Sequence, residues 1–164
     1  MPESDGNRLT HLDAQGHARM VDVTGKDVTV REAVATGFVT LGAPAIAALR
    51  DGTVPKGDAL AVARIAGIAA AKRTPDLIPL CHPLAIHGVG VDLTVRDDGV
   101  EIRGTVRTAD RTGVEMEALT VVCVAALALI DMIKAVDRMA AISDVHLVSK
   151  SGGRSGTWIR PEPS

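Results

Sequence analysis

Aromatic residues are nearly absent from this chain of 164 residues, which has one Trp, one Phe and no Tyr. Proteins that bind single-stranded nucleic acids usually stack the bases on aromatic rings, and glycans are held in a similar way. The scarcity of such rings argues against both kinds of ligand. The formal net charge is only −2, so no global field favours DNA or a membrane surface as a partner.

Cysteines and long apolar segments are also scarce. Cys81 and Cys123 are too few for a disulfide framework, which favours a reducing, intracellular setting. The N-terminal segment has no apolar stretch typical of a signal peptide. The apolar run over residues 118–130 is shorter than the roughly 20 residues that cross a bilayer. We therefore expect a cytoplasmic protein with neither a membrane nor a nucleic-acid partner.

Small hydrophobic residues are what the chain has in abundance. Hydrophobic residues make up 46% of it, mostly Ala, Val, Leu and Ile, so disorder is excluded for most of its length. The length suits one domain. We expect a mobile N-terminal arm over residues 1–25, a single folded domain over residues 26–150, and a flexible Gly/Ser-rich loop and tail over residues 151–164.

Hydrophobic periodicity and turn residues predict an α+β fold. The hairpin is the clearest element, because two alternating segments flank Asp97-Asp98-Gly99. The other predicted elements are a strand over 29–41, a short helix from Pro44, a helix with Asp58 as N-cap, a long helix between Thr112 and Met139, and a strand over 143–149. The order is βαββαβ with an extra helix in the first crossover. It predicts a ferredoxin-like antiparallel sheet covered by helices on one face.

Residues 74–84 carry three prolines and are predicted to form no helix. Pro83 favours an extended conformation for His82. Cys81 and His82 then point to opposite faces, so they do not form a nucleophile–base pair with each other. The spacing of cysteine and histidine does not suit zinc either, and no metal site is predicted. From the residues alone, His82 is open to a structural or a functional reading.

The long helix is apolar in the middle and ionisable at both ends. Glu115 and Glu117 lie near its start, and Asp131 and Lys134 lie three residues apart near its end. The second pair is either an ordinary surface ion pair or, given its apolar neighbours, a partly buried functional pair. Glu117 and Asp131 are separated by about 21 Å along a helix. If both ends serve one site, they are expected to meet across a subunit interface.

Two basic segments are candidates for phosphate binding. Lys72 and Arg73 follow the Ala-rich helix, where a solvated helix end is the simpler interpretation. Lys150 precedes a Gly/Ser-rich segment whose backbone N–H groups could cradle a phosphate. This segment lacks the Walker A order, and a flexible tail explains it equally well.

Several blocks of the sequence together resemble the MoaC family, over roughly residues 8 to 158. They are MVDV (20–23), KGD (56–58), ARIAGIAAAKRTPDLIPLCHPL (63–84), TGVEMEALT (112–120), DMIKAV (131–136) and KSGG (150–153). The resemblance implies a ferredoxin-like subunit in a hexamer, built as a trimer of dimers, with active sites at subunit interfaces. It also implies a lyase of molybdenum cofactor biosynthesis. The reaction implied converts 3′,8-cyclo-7,8-dihydroguanosine 5′-triphosphate into cyclic pyranopterin monophosphate with release of diphosphate.

The resemblance also assigns site residues. Asp131, Lys134 and Lys56 match catalytic positions, with the lysines in acid–base roles. The segments with Leu80, Cys81 and His82, and with Glu115, Met116 and Glu117, match substrate-contacting positions, and Arg73 and Lys150 are expected to bind the triphosphate. No cofactor is expected, and a role for Mg²⁺ beside the diphosphate is left open. Two alternatives compete: a non-catalytic oligomeric module that binds nucleotide phosphates, and a structural oligomer whose charges form only interfacial ion pairs.

Overall fold

A computed structural model describes residues 10–163 of the chain. The elements in order are β1 (Thr29–Thr40), α1 (Ala43–Asp51), α2 (Ala59–Ala71), α3 (Thr74–Leu77), β2 (Ile86–Val95), β3 (Gly99–Asp110), α4 (Glu115–Ile133), β4 (Ala141–Ser151) and β5 (Trp158–Ile159). They form an antiparallel sheet with the strand order β2-β3-β1-β4-β5. The first four strands have the order of a ferredoxin-like sheet, so the predicted fold class is confirmed.

The helices form a layer on the sheet, as the sequence predicted. α4 packs against β1, β3 and β4, and α2 lies between α4 and β2. On β3, alternate residues point into this layer, and Val100, Ile102 and Val106 are fully buried. This alternation places the apolar half of each central strand under α4.

Glycines on the sheet allow α4 to approach closely. A side chain at Gly104 of β3 would place its Cβ 2.9 Å from Val121 Cγ1 of α4, and one at Gly37 of β1 would lie 2.7 Å from Val122 Cγ1. On α2, a Cβ at Gly67 would lie 3.2 Å from the Val121 carbonyl oxygen. The core is therefore built from small pieces at short separation, as the Ala- and Val-rich composition suggests.

Local signals explain most of the element boundaries. Asp58 caps α2, because its carboxylate accepts a hydrogen bond from the Ala61 amide at 3.0 Å. α1 ends at Gly52, which adopts the left-handed conformation with φ 69°. The hairpin forms where Asp97-Asp98-Gly99 predicted it, with the Arg96 amide donating to the Gly99 carbonyl oxygen at 2.7 Å.

Two segments differ from the sequence expectation. Residues 74–84 were expected to be free of helix, yet Thr74–Leu77 form one helical turn with Pro75 in its first turn, where a missing N–H costs nothing. In the segment expected to be a flexible tail, Trp158 and Ile159 pair with Lys150 and Ser149 of β4. The short strand β5 thereby extends the sheet.

The long helix is shorter than the predicted stretch between Thr112 and Met139, because α4 ends at Ile133 with Lys134 as its C-cap. Across its 19 residues, α4 has the length and hydropathy of a membrane-spanning helix. Such helices also occur at the centre of water-soluble folds. In α4, 56% of an 18-residue stretch is buried, and the helix packs against the sheet and α2. Packing within the chain accounts for the apolar character of the buried part of α4.

We predict that Gly104→Ala destabilises the fold by about 1–3 kcal/mol, because the added methyl group overpacks the contact between β3 and α4. Urea unfolding at a fixed protein concentration measures the effect. Gly90→Ala on β2 is the matched control, since a Cβ there meets nothing closer than 3.9 Å. Equal stability of the two variants would contradict the role given to Gly104.

Candidate active site

The two ends of α4 carry two separate groups of polar side chains. At the C-terminal end, Asp131 lies in the last turn and Lys134 is the C-cap residue. The loop between α1 and α2 brings Lys56 to the same place. We call Lys56, Asp131 and Lys134 the C-terminal cluster.

The carboxylate of Asp131 bridges the two lysines of this cluster. Lys134 Nζ lies 2.8 Å from Asp131 Oδ1, and Lys56 Nζ lies 3.2 Å from Asp131 Oδ2. Hydrogen bonds from Lys134 and then from Lys56 lower the pKa of Asp131. One carboxylate thus orients two ammonium groups, which is an arrangement that can pass protons or bind an anion.

The cluster is more exposed than the sequence suggested. The side chains of Asp131 and Lys134 are 56% and 57% exposed, and that of Lys56 is 44% exposed. The expectation that the pair is partly buried is therefore wrong for a single subunit. The apolar neighbours that prompted it, such as Met132 and Ile133, point into the core, while the charged residues lie on the outer face of α4.

A cavity of about 280 Å³ opens at the other end of α4, and we call it the N-terminal cavity. It is lined by segments far apart in sequence that meet where β3 turns into α4. The lining residues are Thr10, His11, Val21, Val23, Lys26, Leu80, Cys81, His82, Thr112, Gly113, Glu115, Met116 and Glu117. All six predicted binding residues from the 80–82 and 115–117 segments are among them.

Two acidic side chains in this cavity have different environments. Glu115 forms an ion pair with Lys150 of β4 at 3.1 Å. Glu117 is only 1% exposed and accepts a hydrogen bond from the Cys81 thiol, with 3.4 Å between Oε1 and Sγ. Burial raises the pKa of Glu117, and the nearby carboxylate of Glu115 raises it further, while the Glu117 amide and the Cys81 thiol act in the opposite direction.

The cysteine and the histidine of the proline-rich segment have separate partners. Burial, followed by the nearby Glu117 carboxylate, raises the pKa of Cys81 to about 12, so the thiol keeps its proton near neutral pH. His82 Nε2 donates a hydrogen bond to the carbonyl oxygen of Val21. The hydrogen bonds of the Cys81 thiol go to Glu117 and to the His82 carbonyl oxygen, so the thiol and the imidazole do not form a hydrogen-bonded pair, as the sequence predicted.

A second cavity adjoins the first through Lys26 and has a volume of about 420 Å³. Three of its seven lining residues are cations, and the full set is Lys26, Asp27, Thr29, Arg31, Gly153, Arg154 and Ser155. The Arg31 guanidinium is held by the carbonyl oxygens of Asp110 and Arg111 at 3.0 and 3.2 Å. We call it the cationic cavity.

Some predicted residues lie elsewhere, and some lining residues were missed. Arg73 lines neither cavity and faces Asp76 at 3.8 Å, with its side chain 77% exposed. Its role in phosphate binding stays a prediction.

His11, Lys26 and Arg31 were not singled out from the sequence. The alternating segment around Val21 was the available signal, since its carbonyl oxygen binds His82.

No group of three or more His, Cys, Asp or Glu side chains within residues 10–163 is arranged to hold a metal ion. The two groups at the ends of α4 instead combine cations, carboxyl groups and an imidazole. Such sets suit proton transfer and the binding of an anionic small molecule.

The pattern of the MoaC family matches residues 20–153, a range that includes the C-terminal cluster and most of both cavities. The chain belongs to the MoaC family. It is 64% identical over 154 residues to the cyclic pyranopterin monophosphate synthase of Streptomyces coelicolor, covering 94% of this chain and 91% of that protein. The synthase of Nocardioides sp. is 62% identical, covering 94% and 96% of the two chains, and that of Chloroflexus aurantiacus is 57% identical with the same coverage. The predicted family is confirmed.

We predict that Lys134→Met raises the pKa of Asp131 more than Lys56→Met does, because the hydrogen bond from Lys134 is the larger cause of the lowering. Carboxyl-carbon NMR titration of Asp131 in the three proteins measures it. Because the pKa of Asp131 is lowered in the folded protein, its hydrogen bonds with the lysines stabilise the folded state at neutral pH. This stabilisation is lost as the pH falls through the pKa of Asp131. An unchanged titration in both variants would refute the bridge.

Proposed function

We propose that this chain converts 3′,8-cyclo-7,8-dihydroguanosine 5′-triphosphate into cyclic pyranopterin monophosphate and diphosphate in molybdenum cofactor biosynthesis. The observation that carries the proposal is the C-terminal cluster, in which one carboxylate orients two lysines in a member of the MoaC family. The relatives at 57–64% identity are named for this synthase activity.

The reaction requires opening of the imidazole part of the purine, rebuilding of the pterin ring and closure of a cyclic phosphate. These steps move protons and need no redox change, so we propose catalysis without a cofactor. Lys134 is the acid–base group, Asp131 orients it, and Lys56 is a second acid–base or phosphate-binding group. The only place proposed for Mg²⁺ is beside the leaving diphosphate.

The N-terminal cavity is proposed to bind the purine-derived ring system through Leu80, His82 and Met116, which line it. The adjoining cationic cavity is proposed to take the phosphates. Arg31 is held there by two carbonyl oxygens, and the backbone at Gly152 and Gly153 turns with φ of 91° and 76°. Arginine side chains and exposed backbone N–H groups are suited to phosphate oxygens.

We further propose that a complete site contains the N-terminal cavity of one subunit and the C-terminal cluster of another, in a hexamer in the cytoplasm. The two ends of α4 are about 21 Å apart between Glu117 and Asp131. This length exceeds what one compact pocket for a nucleotide requires. A symmetric contact between two copies brings opposite ends of two α4 helices together.

Lys134→Ala is expected to lower kcat by about 10²–10⁴-fold, which is the typical contribution of a general acid or base. Arg103→Ala is the control, because Arg103 is an exposed cation of β3 that lines neither cavity and is not a candidate for phosphate binding. Product and diphosphate release are measured after size-exclusion chromatography shows unchanged assembly. Turnover by Lys134→Ala at the control rate would remove Lys134 from catalysis. Nucleotide binding without turnover by the unaltered protein would favour a non-catalytic binding module.

Mixing two inactive variants tests the shared site. His82→Ala removes a group of the N-terminal cavity, and Asp131→Asn removes the centre of the C-terminal cluster. After co-refolding, we expect about a quarter of the unaltered rate, because half of the pairs are mixed and one of the two sites in each mixed pair is intact. No recovery from well-assembled mixtures would place the whole site within one subunit.

A further inference from the structure

Lys56 reaches the C-terminal cluster from the loop between α1 and α2, and its side chain has little to hold it. The side chain is 44% exposed. Within residues 10–163, the Asp131 carboxylate is the only hydrogen-bond partner of its ammonium group, at 3.2 Å from Nζ. A lysine side chain has many rotamers, so one ion pair at the surface fixes it weakly. The position of Lys56 therefore depends on the backbone that carries it.

The backbone around Lys56 forms a tight turn that begins at Val54 and ends at Gly57. The amide of Gly57 donates a hydrogen bond to the Val54 carbonyl oxygen at 3.0 Å. Pro55 occupies the second position, where its fixed φ favours such a turn. Both ends are anchored, because Val54 is buried in the core and Asp58 caps α2. Lys56 is thus carried on a short turn between two fixed points.

The conformation of Gly57 allows the turn to connect to α2. Its φ of 109° is one that L residues other than glycine rarely adopt, because a Cβ would crowd the backbone. Lack of space is not the reason for a glycine here. In the described part of the chain, an added Cβ would meet no atom within 4 Å beyond its chain neighbours, and a surface cavity of about 480 Å³ opens beside the loop. A substitution at Gly57 therefore acts on the backbone and leaves charge and packing unchanged.

We propose that Gly57 is a positioning residue, whose positive φ directs the turn so that the ammonium group of Lys56 lies at Asp131 in the proposed active site. This inference rests on the proposed function and deepens it. A fixed turn lets Lys56 exchange its partner between Asp131 and a substrate phosphate without a search over many loop conformations. A residue that cannot adopt this φ changes the direction of the turn and moves the lysine away from Asp131.

Gly57→Ala is expected to lower kcat by about tenfold to a hundredfold, because misplacement of a group by about 1 Å can cost about 10²-fold in rate. Gly16→Ala is the matched control. Gly16 also has a positive φ, of 84°, with open space around an added Cβ, and it lines neither cavity. The control is expected to keep the unaltered kcat. An unaltered kcat in Gly57→Ala, or equal losses in the two variants, would overturn the proposal.

A D-alanine at position 57 separates the backbone from the added methyl group. For a D residue, a φ of 109° is the mirror image of −109° in an L residue, which is a commonly occupied value. The full chain is made by joining a synthetic peptide of residues 1–80 to residues 81–164 at the native Cys81. Gly57→D-Ala is expected to keep kcat within about threefold of unaltered protein made in the same way. A loss as large as that of Gly57→Ala would overturn the proposal, since it would make the methyl group the cause.

Titration of Asp131 tests the position of Lys56 without turnover. Hydrogen bonds from Lys134 and then from Lys56 lower the pKa of Asp131. Because Gly57→Ala alters no charge, a rise in this pKa reports the movement of Lys56 away from the carboxylate. Carboxyl-carbon NMR is expected to show a rise in Gly57→Ala towards the value in Lys56→Met, and no rise in Gly57→D-Ala. An unchanged pKa in Gly57→Ala would overturn the proposal.

A double variant tests whether Gly57 acts through Lys56. The pKa of Asp131 is expected to be the same in Gly57→Ala/Lys56→Met as in Lys56→Met alone, because effects that pass through one group do not add. Additive shifts would overturn the proposal. If the unaltered protein does not convert the cyclic dihydroguanosine triphosphate, the proposed function fails while the titrations still decide the role of Gly57. If turnover is normal and the titrations show no displacement of Lys56, the inference alone fails.

Discussion

The close contact between α4 and the sheet is the constraint on which the remaining structure depends. An apolar helix of 19 residues is held at short range because glycines occupy the facing positions on β1, β3 and α2. Larger side chains there would push the helix outward and separate α2 from it. The contact fixes α4 along its middle, so its two ends are the places where polar groups gather on a rigid support. Both candidate parts of the site are built at these ends.

The two ends of α4 support two groups of polar side chains that are built from different segments of the chain. The C-terminal cluster forms from α4 and one loop, whereas the N-terminal cavity also needs the proline-rich segment, β4 and the residues before β1. Prolines on both sides of Cys81 and His82 limit the backbone there, which suits side chains that must hold fixed directions. The fold therefore holds two separate groups of polar side chains, one at each end of α4.

Elements encoded by local signals were predictable from the sequence. The hairpin, the N-cap at Asp58 and the apolar α4 follow from turn residues, capping chemistry and periodicity, and they sufficed for the ferredoxin-like strand order. The turn at Thr74–Leu77 was missed because the three prolines outweighed the fact that Pro75 suits the start of a helix. Strand β5 was missed because two residues carry no periodicity, and its pairing with β4 is a tertiary effect.

The family resemblance marked residues that the structure gathers at the two ends of α4, and their roles stay predictions, whereas contacts between distant segments were not predictable from the sequence. His11 and Lys26 reach the cavity from the chain before β1, which had no clear pattern. The hydrogen bond between His82 and Val21 joins residues 61 positions apart, so the alternation around Val21 marks that segment as ordered but does not identify His82 as its partner. The burial of Glu117 and the exposure of Asp131 also depend on which face of α4 meets the sheet. An apolar neighbourhood in sequence does not determine that face.

The exposure of the C-terminal cluster bears on the chemistry itself. Acid–base catalysis works best where bulk water is excluded, and the side chain of Lys134 is 57% exposed in a single subunit. The proposed proton transfer by Lys134 therefore requires a further surface that removes water, together with a substrate whose anionic phosphates attract the ammonium group away from Asp131. In the proposed shared site, a second subunit whose N-terminal cavity faces the cluster meets the first requirement. The proposed nucleotide substrate meets the second, so under this proposal assembly and substrate binding complete the environment that a single subunit lacks.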